Sequence, residues 1–562
     1  MRMSGAEILI GLLERQDVRM VAGIPGGANL PIYDALGSNG RIRHVLVRHE
    51  QAAGFIAQGA ARVTGKPAVA LATSGPAATN LLTAVADAML DSVPIVCITG
   101  QVPRALIGTD AFQEIDICGM SIPATKHNFL VRSAGELLEV LPRAFHIAAS
   151  GRPGPVLVDV PRDVQTEEVS FDSWPEPAWP AQPPAFDVTD VERAAELVNA
   201  AKRPLLCVGG GVIQSGASRV VVELAQKAGA PLVTTLMALG AVDRDHPLNL
   251  GMPGMHGWSS ANIAIEECDL FVAIGARFDD RVTGKLDEFC PSAKVLHVDI
   301  DASEINKVRC AHAGVAADAA AFVKALLAHI EAGRRPGWLR HVALLKARHG
   351  LATPGIEDPR KPYGLIAHVA SVAGVDAIIT TDVGRHQMWV AQSYPFKKPR
   401  AWLTSGGLGT MGFGLPAAIG AALAQPGRPV VCFSGDGSLL MNIQELATAV
   451  EEDLNVKIIL MNNNSLGLVR QQQSLFYGGR IFQSDFRHKV DFCLVAEGFG
   501  MRRIDLETAG DPASALKEVF ADEHPWLVHA PISAEEMVYP MVPPGAANSS
   551  MIGGEGDVWA NL

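Results

Sequence analysis

Short, almost unbroken apolar runs alternate along this chain with longer segments in which apolar residues recur every three or four positions. Val69 to Ala72, Ile95 to Thr99 and Val156 to Val160, then Leu205 to Val208, Leu270 to Ile274 and Val295 to Ile300, and finally Ile378 to Thr381 are runs of this kind. They read as strands buried on both faces of a parallel sheet, with the periodic segments as covering helices. The pattern therefore predicts an α/β fold of three successive parallel-sheet domains. Two breaks interrupt it. From Thr166 to Asp187, Pro175, Pro177, Pro180, Pro183 and Pro184 stand with two tryptophans and little periodicity, which reads as an extended linker. From Gly333 to Tyr363 a helix-like basic stretch gives way to Thr353-Pro354-Gly355 and Pro359-Arg360-Lys361-Pro362. These breaks place domains at 1–165, 188–335 and 360–548, each of ordinary size. Met1 to Arg15, with Glu7 and Glu14 set in an apolar pattern, reads as a first helix rather than a signal peptide.

The most informative stretch is Val430-Val431-Cys432-Phe433-Ser434-Gly435-Asp436-Gly437, followed by the amphipathic segment Asn442 to Glu451 and then Val456-Lys457-Ile458-Ile459-Leu460-Met461-Asn462-Asn463. It reads as one βαβ unit with a right-handed crossover. Asp436 and Asn463 then stand at the carboxyl ends of two parallel strands, where open α/β sheets bind ligands. A carboxylate beside a carboxamide offers the hard oxygen ligands that suit Mg²⁺ carrying phosphates, and Gly435 and Gly437 let the backbone approach a diphosphate closely.

Bulk properties narrow the field. The chain has 562 residues, too many for one core, and a net charge of −12 with no long Lys/Arg run, which recommends neither nucleic acid nor an anionic membrane as a partner. No apolar span reaches membrane length. Eight cysteines scattered without a C-x-x-C spacing read as reduced thiols of a cytoplasmic protein rather than as a zinc site.

Gly-Asp-Gly, 24 intervening residues and then Asn-Asn resembles the signature of thiamine-diphosphate enzymes. The resemblance implies that Asp436, Asn463 and the backbone carbonyl of Ser465 hold Mg²⁺. It implies further that Glu50, in the pair His49-Glu50 at a helix start, is the carboxyl group that meets the cofactor's pyrimidine ring and assists proton removal. Pro25, Gly26 and Gly27, within Gly23 to Ala28, resemble the loop facing the thiazolium, and Thr73 to Asn80 a tight turn at the same site. Phe112 and Gln113, within Gly108 to Glu114, would face the active site. Gly384, His386 and Gln387 would reach the diphosphate, and Met411, in the glycine-rich segment with Gly409, would wedge between the cofactor's two rings. Gly435, Gly437, Ser438, Gly467 and Leu468 complete the cofactor-binding set.

The middle block narrows the resemblance to the acetohydroxyacid synthase family, the FAD-containing branch. Gly275-Ala276-Arg277-Phe278-Asp279-Asp280-Arg281 follows a buried strand and carries more charge than a plain loop needs. By the resemblance Arg277 and Arg152 contact FAD, as do Gly209, Gly210, Gly211, Gly254, Met255, His256, Gly275, Asp279, Asp299, Ile300 and Asp318, while Arg281 anchors the carboxylate of the second 2-keto acid. The activity implied is decarboxylation of pyruvate and ligation of the two-carbon unit to a second pyruvate or to 2-ketobutyrate, the first common step of valine, leucine and isoleucine synthesis. FAD would be structural, since the net reaction involves no redox change. A homodimer or tetramer with a separate small regulatory subunit is implied as well.

Alternatives are a sibling thiamine enzyme, namely the catabolic acetolactate synthase, pyruvate oxidase or glyoxylate carboligase, and a non-catalytic paralogue. The Arg-Phe-Asp-Asp-Arg segment argues against the flavin-free catabolic enzyme and Glu50 against glyoxylate carboligase. A paralogue without activity would be expected to have lost Glu50, Asp436 or Asn463. The chain departs from the family in three places: Arg385 where glutamine is usual, Arg162 where lysine is usual, and Gln472 where tryptophan is common, although one bacterial isozyme class also has glutamine there. Tryptophan packs against the extra methyl of 2-ketobutyrate, and one methyl in an apolar pocket is worth about 1 to 3 kcal/mol of discrimination. With Gln472 the enzyme should discriminate weakly between the two acceptors. Gln472→Trp is expected to raise the preference for 2-ketobutyrate, measured as the product ratio when both keto acids compete; a wild-type enzyme already strongly selective for 2-ketobutyrate would refute this.

Overall fold

The computed structural model describes residues 1–333 and 335–553. Three parallel sheets follow one another along the chain. The first has six strands in the spatial order Arg43–Leu46, Met20–Gly23, Ala68–Ala72, Ile95–Gln101, Val156–Pro161, His127–Leu130. The second has five, in the order Leu232–Thr234, Pro204–Val208, Leu270–Ile274, Lys294–Asp299, Ala313–Ala316. The third has six, in the order Trp402–Leu403, Ile378–Thr381, Val430–Gly435, Val456–Asn462, Trp526–Pro531, Arg502–Asp505. Numbered by chain order within each sheet, the outer two both run 2-1-3-4-6-5, and the middle one runs 2-1-3-4-5. In all three the strand order reverses between first and third strands, which opens a crevice at their carboxyl ends.

The strands predicted from apolar runs form, each within a residue or two of the expected ends. Several other readings are corrected. Met1 to Arg15 is not helical throughout: Arg2–Ser4 is a short strand, and the helix Gly5–Arg15 begins only after it, because Ser4 and Glu7 make a capping box. The linker read from Thr166 to Asp187 is not free at its start, since Glu168–Ser170 pairs antiparallel with Arg2–Ser4. Trp174 then lies so close to Gly11 that a side chain there would begin 2.6 Å from the indole. The helix-like basic stretch after Gly333 forms as expected, as the helix Pro336–Arg348, whose Trp338 donates to the carbonyl of Pro204 and whose Val342 and Leu345 join the core under the middle sheet. Among the described residues no helix is long and apolar enough to cross a membrane.

The outer sheets share one core. The helix Glu50–Thr64 is buried from Ala52 to Val63, and Gly414–Ala424 is buried from Gly414 to Ala422, so neither has a polar face to present to water. They cross with backbones in contact. A side chain on Gly59 would begin 2.1 Å from the carbonyl oxygen of Ala417, and one on Gly420 would begin 2.0 Å from that of Ile56. Residues of both sheets, from Ala22 and Val45 to Ile458 and Leu527, pack in one cluster around this crossing. Interiors this dense do not yield to an added side chain. Gly420→Val is expected to destabilise by about 3 kcal/mol or more, read by denaturant unfolding. Gly37→Ala, in the helix Leu30–Asn39 where the added methyl meets nothing within 4 Å, should be neutral or stabilising by about 1 kcal/mol at most.

Candidate active site

In the third sheet the crevice lies between Ile378–Thr381 and Val430–Gly435. Asp436 follows the second of these strands and opens a short helix. Burial pushes its carboxyl up to about 6, and the N–H groups of Gly437, Asn463 and Ser465 pull the other way by donating to it. Asp436, Asn463 and Ser465 are thereby gathered at one point. Asn463 Oδ1 also accepts the Ser465 N–H at 3.1 Å, Asn464 sits in the left-handed region at φ 50, and the buried Ser465 hydroxyl has no partner. Two oxygens of neutral or acidic groups and a turned-out loop are a donor set suited to a hard divalent cation such as Mg²⁺.

His386 is packed under this point. Side chains on Gly384 or Gly435 would begin 2.6 and 2.9 Å from its ring, so only glycine fits at either position. Burial pushes His386 down to about 3, and its Nε2 has no partner, leaving a neutral ring with a free polar edge. Gln387 donates to Thr404 Oγ1 and the Ser405 carbonyl, and Ser438 Oγ to the Val383 carbonyl. Asp382, pushed up to about 6 by burial, accepts the Gly412 N–H at 2.7 Å and the Ser434 hydroxyl at 3.2 Å. A side chain on Gly467 would begin 2.8 Å from Asn463 Nδ2, and one on Gly437 would begin 2.9 Å from Leu466. The result is a cradle of backbone and small residues with unpaired donors inside it, which fits a diphosphate and its metal.

The segment Ser405 to Met411 forms one wall, and sequence reasoning missed what holds it. Asp87 accepts from Ser405 Oγ and Thr410 Oγ1, Asp91 accepts the N–H groups of Gly406 and Gly407, and Arg62 pairs with Asp91 at 2.7 Å and Asp87 at 3.7 Å. Burial and then the Asp91 charge hold the Asp87 carboxyl above its usual range. The one local signal was two aspartates four apart on the helix Pro76–Leu90 and its cap. Gly409, in the left-handed region at φ 71, and Met411, half-buried, complete the wall.

In the first sheet the crevice lies between Met20–Gly23 and Ala68–Ala72. Here a side chain on Gly26 would begin 2.5 Å from Thr73, Thr73 Oγ1 accepts the Ala28 N–H, and Asn29 Oδ1 accepts the Gly26 N–H. Gly27 and Pro25 face open space. Glu50 is the first residue of its helix, capped by His49, and accepts from Asn80 Nδ2 at 2.9 Å. Gln113, strained into the left-handed region at φ 59, packs against Gly75, whereas Phe112 is 87% exposed. The carboxylate of Glu114 gathers the N–H groups of Gly108, Thr109 and Ala111 and so shapes the loop that carries them. Among the described residues no hydrogen bond or ion pair links Glu50 to the Asp436 group.

The middle crevice lies between Pro204–Val208 and Leu270–Ile274. Gly209, Gly211 and Gly275 meet there backbone to backbone: a side chain on Gly209 would begin 2.0 Å from the Gly275 carbonyl oxygen, and one on Gly211 would begin 2.8 Å from the Gly275 Cα. Gly210 faces Met237. Arg277 is half-buried with no hydrogen-bond or charge partner among the described residues. Arg152 is already engaged, by Glu304 at 2.8 Å, Ser92 Oγ at 2.8 Å and Asp301 at 3.6 Å. Asp299, pushed up to about 6 by burial, accepts the Asp301 N–H, with Ile300 between them; Asp318 caps the helix Ala319–His329. Asp279 accepts the Arg281 N–H, and the Arg281 carbonyl accepts the Met255 N–H at 2.7 Å, so the Gly254-Met255-His256 loop and Arg281 form one unit. His256 is buried, pushed down to about 4, with Nδ1 unpaired.

The tail unites these parts. Val542 N–H donates to Met255, Lys285 N–H to Ala546, and Asn548 Nδ2 to Val282. Gln471 exchanges two hydrogen bonds with Val538, which ties the helix Gly467–Phe476 to the same strap and leaves Leu468 and Gln472 half-exposed on another face.

Family models match three segments: residues 3–120 as the thiamine pyrophosphate enzyme N-terminal TPP-binding domain, 191–326 as the central domain and 382–530 as the C-terminal TPP-binding domain. The chain is similar to the acetolactate synthase isozyme 1 large subunit of Escherichia coli, 56% identical over 98% of each chain. It is also similar to the isozyme 2 large subunit of the same organism, 45% identical over 98% of this chain and 99% of that one, and to the acetolactate synthase large subunit of Corynebacterium glutamicum, 45% identical over 98% and 90%. Removing either metal-facing group should abolish Mg²⁺-dependent binding of thiamine diphosphate: Asp436→Ala and Asn463→Ala are expected to show no calorimetric titration where wild type does, and unchanged affinity in either would contradict the placement.

Proposed function

The chain belongs to the thiamine pyrophosphate enzymes, among the acetolactate synthase large subunits, and from this premise we propose how its residues divide the work. It is a catalytic subunit that joins two 2-keto acids with loss of CO₂. The observation that carries the reading of the site is the convergence of Asp436, Asn463 and Ser465 at the crevice of the third sheet.

The chemistry that thiamine diphosphate supplies when bound is an acceptor for the electron pair left as a 2-keto acid loses its carboxylate. Asp436, Asn463 and the carbonyl of Ser465 would hold Mg²⁺, while His386, Ser438 and the glycine cradle would receive the diphosphate. Neutral His386 donates without adding charge. Glu50, kept in place by Asn80 and by its helix start, would exchange a proton with the pyrimidine ring. The Ser405 to Met411 wall excludes water from one side of the cofactor. Arg281, exposed beside the Gly254–His256 loop, takes the carboxylate of the acceptor keto acid, pyruvate or 2-ketobutyrate, through its planar fork. Half-exposed Gln472 borders that acceptor.

We assign FAD to the middle crevice. Support comes from the bare glycine contact of Gly209, Gly211 and Gly275, from unpartnered Arg277, and from the unpaired Nδ1 of His256. Arg152 would have to share its Glu304 partner to reach a flavin. A second copy of the chain is proposed to bring Glu50 to the diphosphate side, since the two are unlinked within one chain and Phe112, Leu408, Met441 and Phe482 are exposed apolar residues. The relatives' names as large subunits support a smaller regulatory partner, and the cytoplasm is the compartment proposed for reduced thiols; all eight cysteines are free.

Incubation of purified protein with pyruvate, thiamine diphosphate, Mg²⁺ and FAD is expected to yield acetolactate. Glu50→Gln should bind cofactor nearly as wild type yet turn over about a hundredfold more slowly or worse. Near-normal acetolactate formation by that variant would refute the role of Glu50, and peroxide in place of acetolactate from wild type would refute the reaction.

A further inference from the structure

Arg385 is the largest charged side chain sealed inside the third domain, with 2% of its surface exposed. Its Nη1 donates to the carbonyls of Ala534 at 2.8 Å and Glu536 at 2.6 Å. Its Nε and Nη2 are buried and donate to nothing. These two atoms form the side edge of the guanidinium, the edge that grips two oxygens in parallel. The edge has a definite address: the missing side chain of Gly467 would begin 3.1 Å from Arg385 Nε and 2.8 Å from Asn463 Nδ2, so guanidinium, carboxamide and the start of the helix Gly467–Phe476 meet at one spot.

The charge surroundings are asymmetric. Arg470, which also donates to Ala534, is paired with Asp485 at 3.0 Å and Glu535 at 2.6 Å. No carboxylate is hydrogen-bonded or ion-paired to Arg385 among the described residues. Burial, then the Arg470 charge, pushes its guanidinium down to about 10, still a cation at any working pH. A buried cation with a free two-donor edge next to a cation-binding loop lacks one thing, an anion with two or more oxygens.

We propose that the Nε–Nη2 edge of Arg385 grips the diphosphate of the cofactor, so that this chain neutralises it with a fixed guanidinium as well as with Mg²⁺. The proposal rests on the diphosphate reading of the Asp436 crevice. Nη1 stays on Ala534 and Glu536, which makes the tail a brace that aims the fork.

Full-length wild type, Arg385→Gln and Arg385→Lys are titrated calorimetrically with thiamine diphosphate and, separately, with inorganic pyrophosphate, both with Mg²⁺ present. Arg385→Gln is expected to bind both ligands about tenfold or more weakly. Arg385→Lys, which keeps the charge without the fork, should fall between the two. Thermal melting of each ligand-free protein guards against a folding artefact. If Arg385→Gln binds both ligands as wild type does and only melts lower, Arg385 is a strut for the tail and the proposal is overturned. If wild type binds neither ligand, the diphosphate reading falls and takes this proposal with it.

Discussion

Two helices that touch backbone to backbone hold the outer sheets together, and most of the chemistry hangs from them. Gly59 against Ala417 and Gly420 against Ile56 bring the axes closer than any side chain would allow. The contact is dispersion and exclusion of water over a long small-residue face. Each helix starts at a functional point. Glu50 is the first residue of one, and the other begins at Gly414, two residues after Gly412, whose N–H is held by Asp382. A shift along the crossing would therefore displace Glu50 and the Asp382–Gly412 contact together.

Around this rigid centre, position is fixed by buried charge rather than by packing. Arg62, Asp87 and Asp91 are almost wholly out of water, an arrangement that seldom adds stability over an apolar substitute. Its geometry explains its presence. Every acceptor of the two aspartates points at Arg62 or at the Ser405 to Thr410 wall, a segment rich in glycine that has no secondary structure of its own to keep it still. The same device recurs at lower cost in the Asn463 loop, where three consecutive polar residues use their amides to turn the chain around Asp436.

How much of this was legible in the sequence depended on distance along the chain. Buried parallel strands read as apolar runs, so Leu270–Ile274 and Ile378–Thr381 could be placed to the residue, and Asp436 and Asn463 could be set on neighbouring strand ends because one βαβ unit spans both. Strands of three residues, such as Arg2–Ser4 and Glu168–Ser170, carry too little pattern to see, and their pairing joins the start of the chain to a stretch that proline content marks as linker. The matching strand order of the outer sheets was invisible because insertions differ while topology does not. In the site, the motif residues were local and legible; their partners were not. Nothing near Ser405 signals Asp87, and nothing near Arg385 signals the carbonyls of Ala534 and Glu536.

The strap from Val538 to Ile552 touches the Gly254–His256 loop, the Arg281 loop and the helix Gly467–Phe476. It follows every strand of the three sheets in chain order, the last of them being Trp526–Pro531. The three sheets can each close as they emerge, because every strand they need has by then been made. The joint among the Gly254–His256 loop, the Arg281 loop and the helix Gly467–Phe476 cannot, since the segment that ties all three is still being synthesised. A polypeptide cut before Val538 would thus keep the strands of all three sheets while the two loops and the helix lost their common tie.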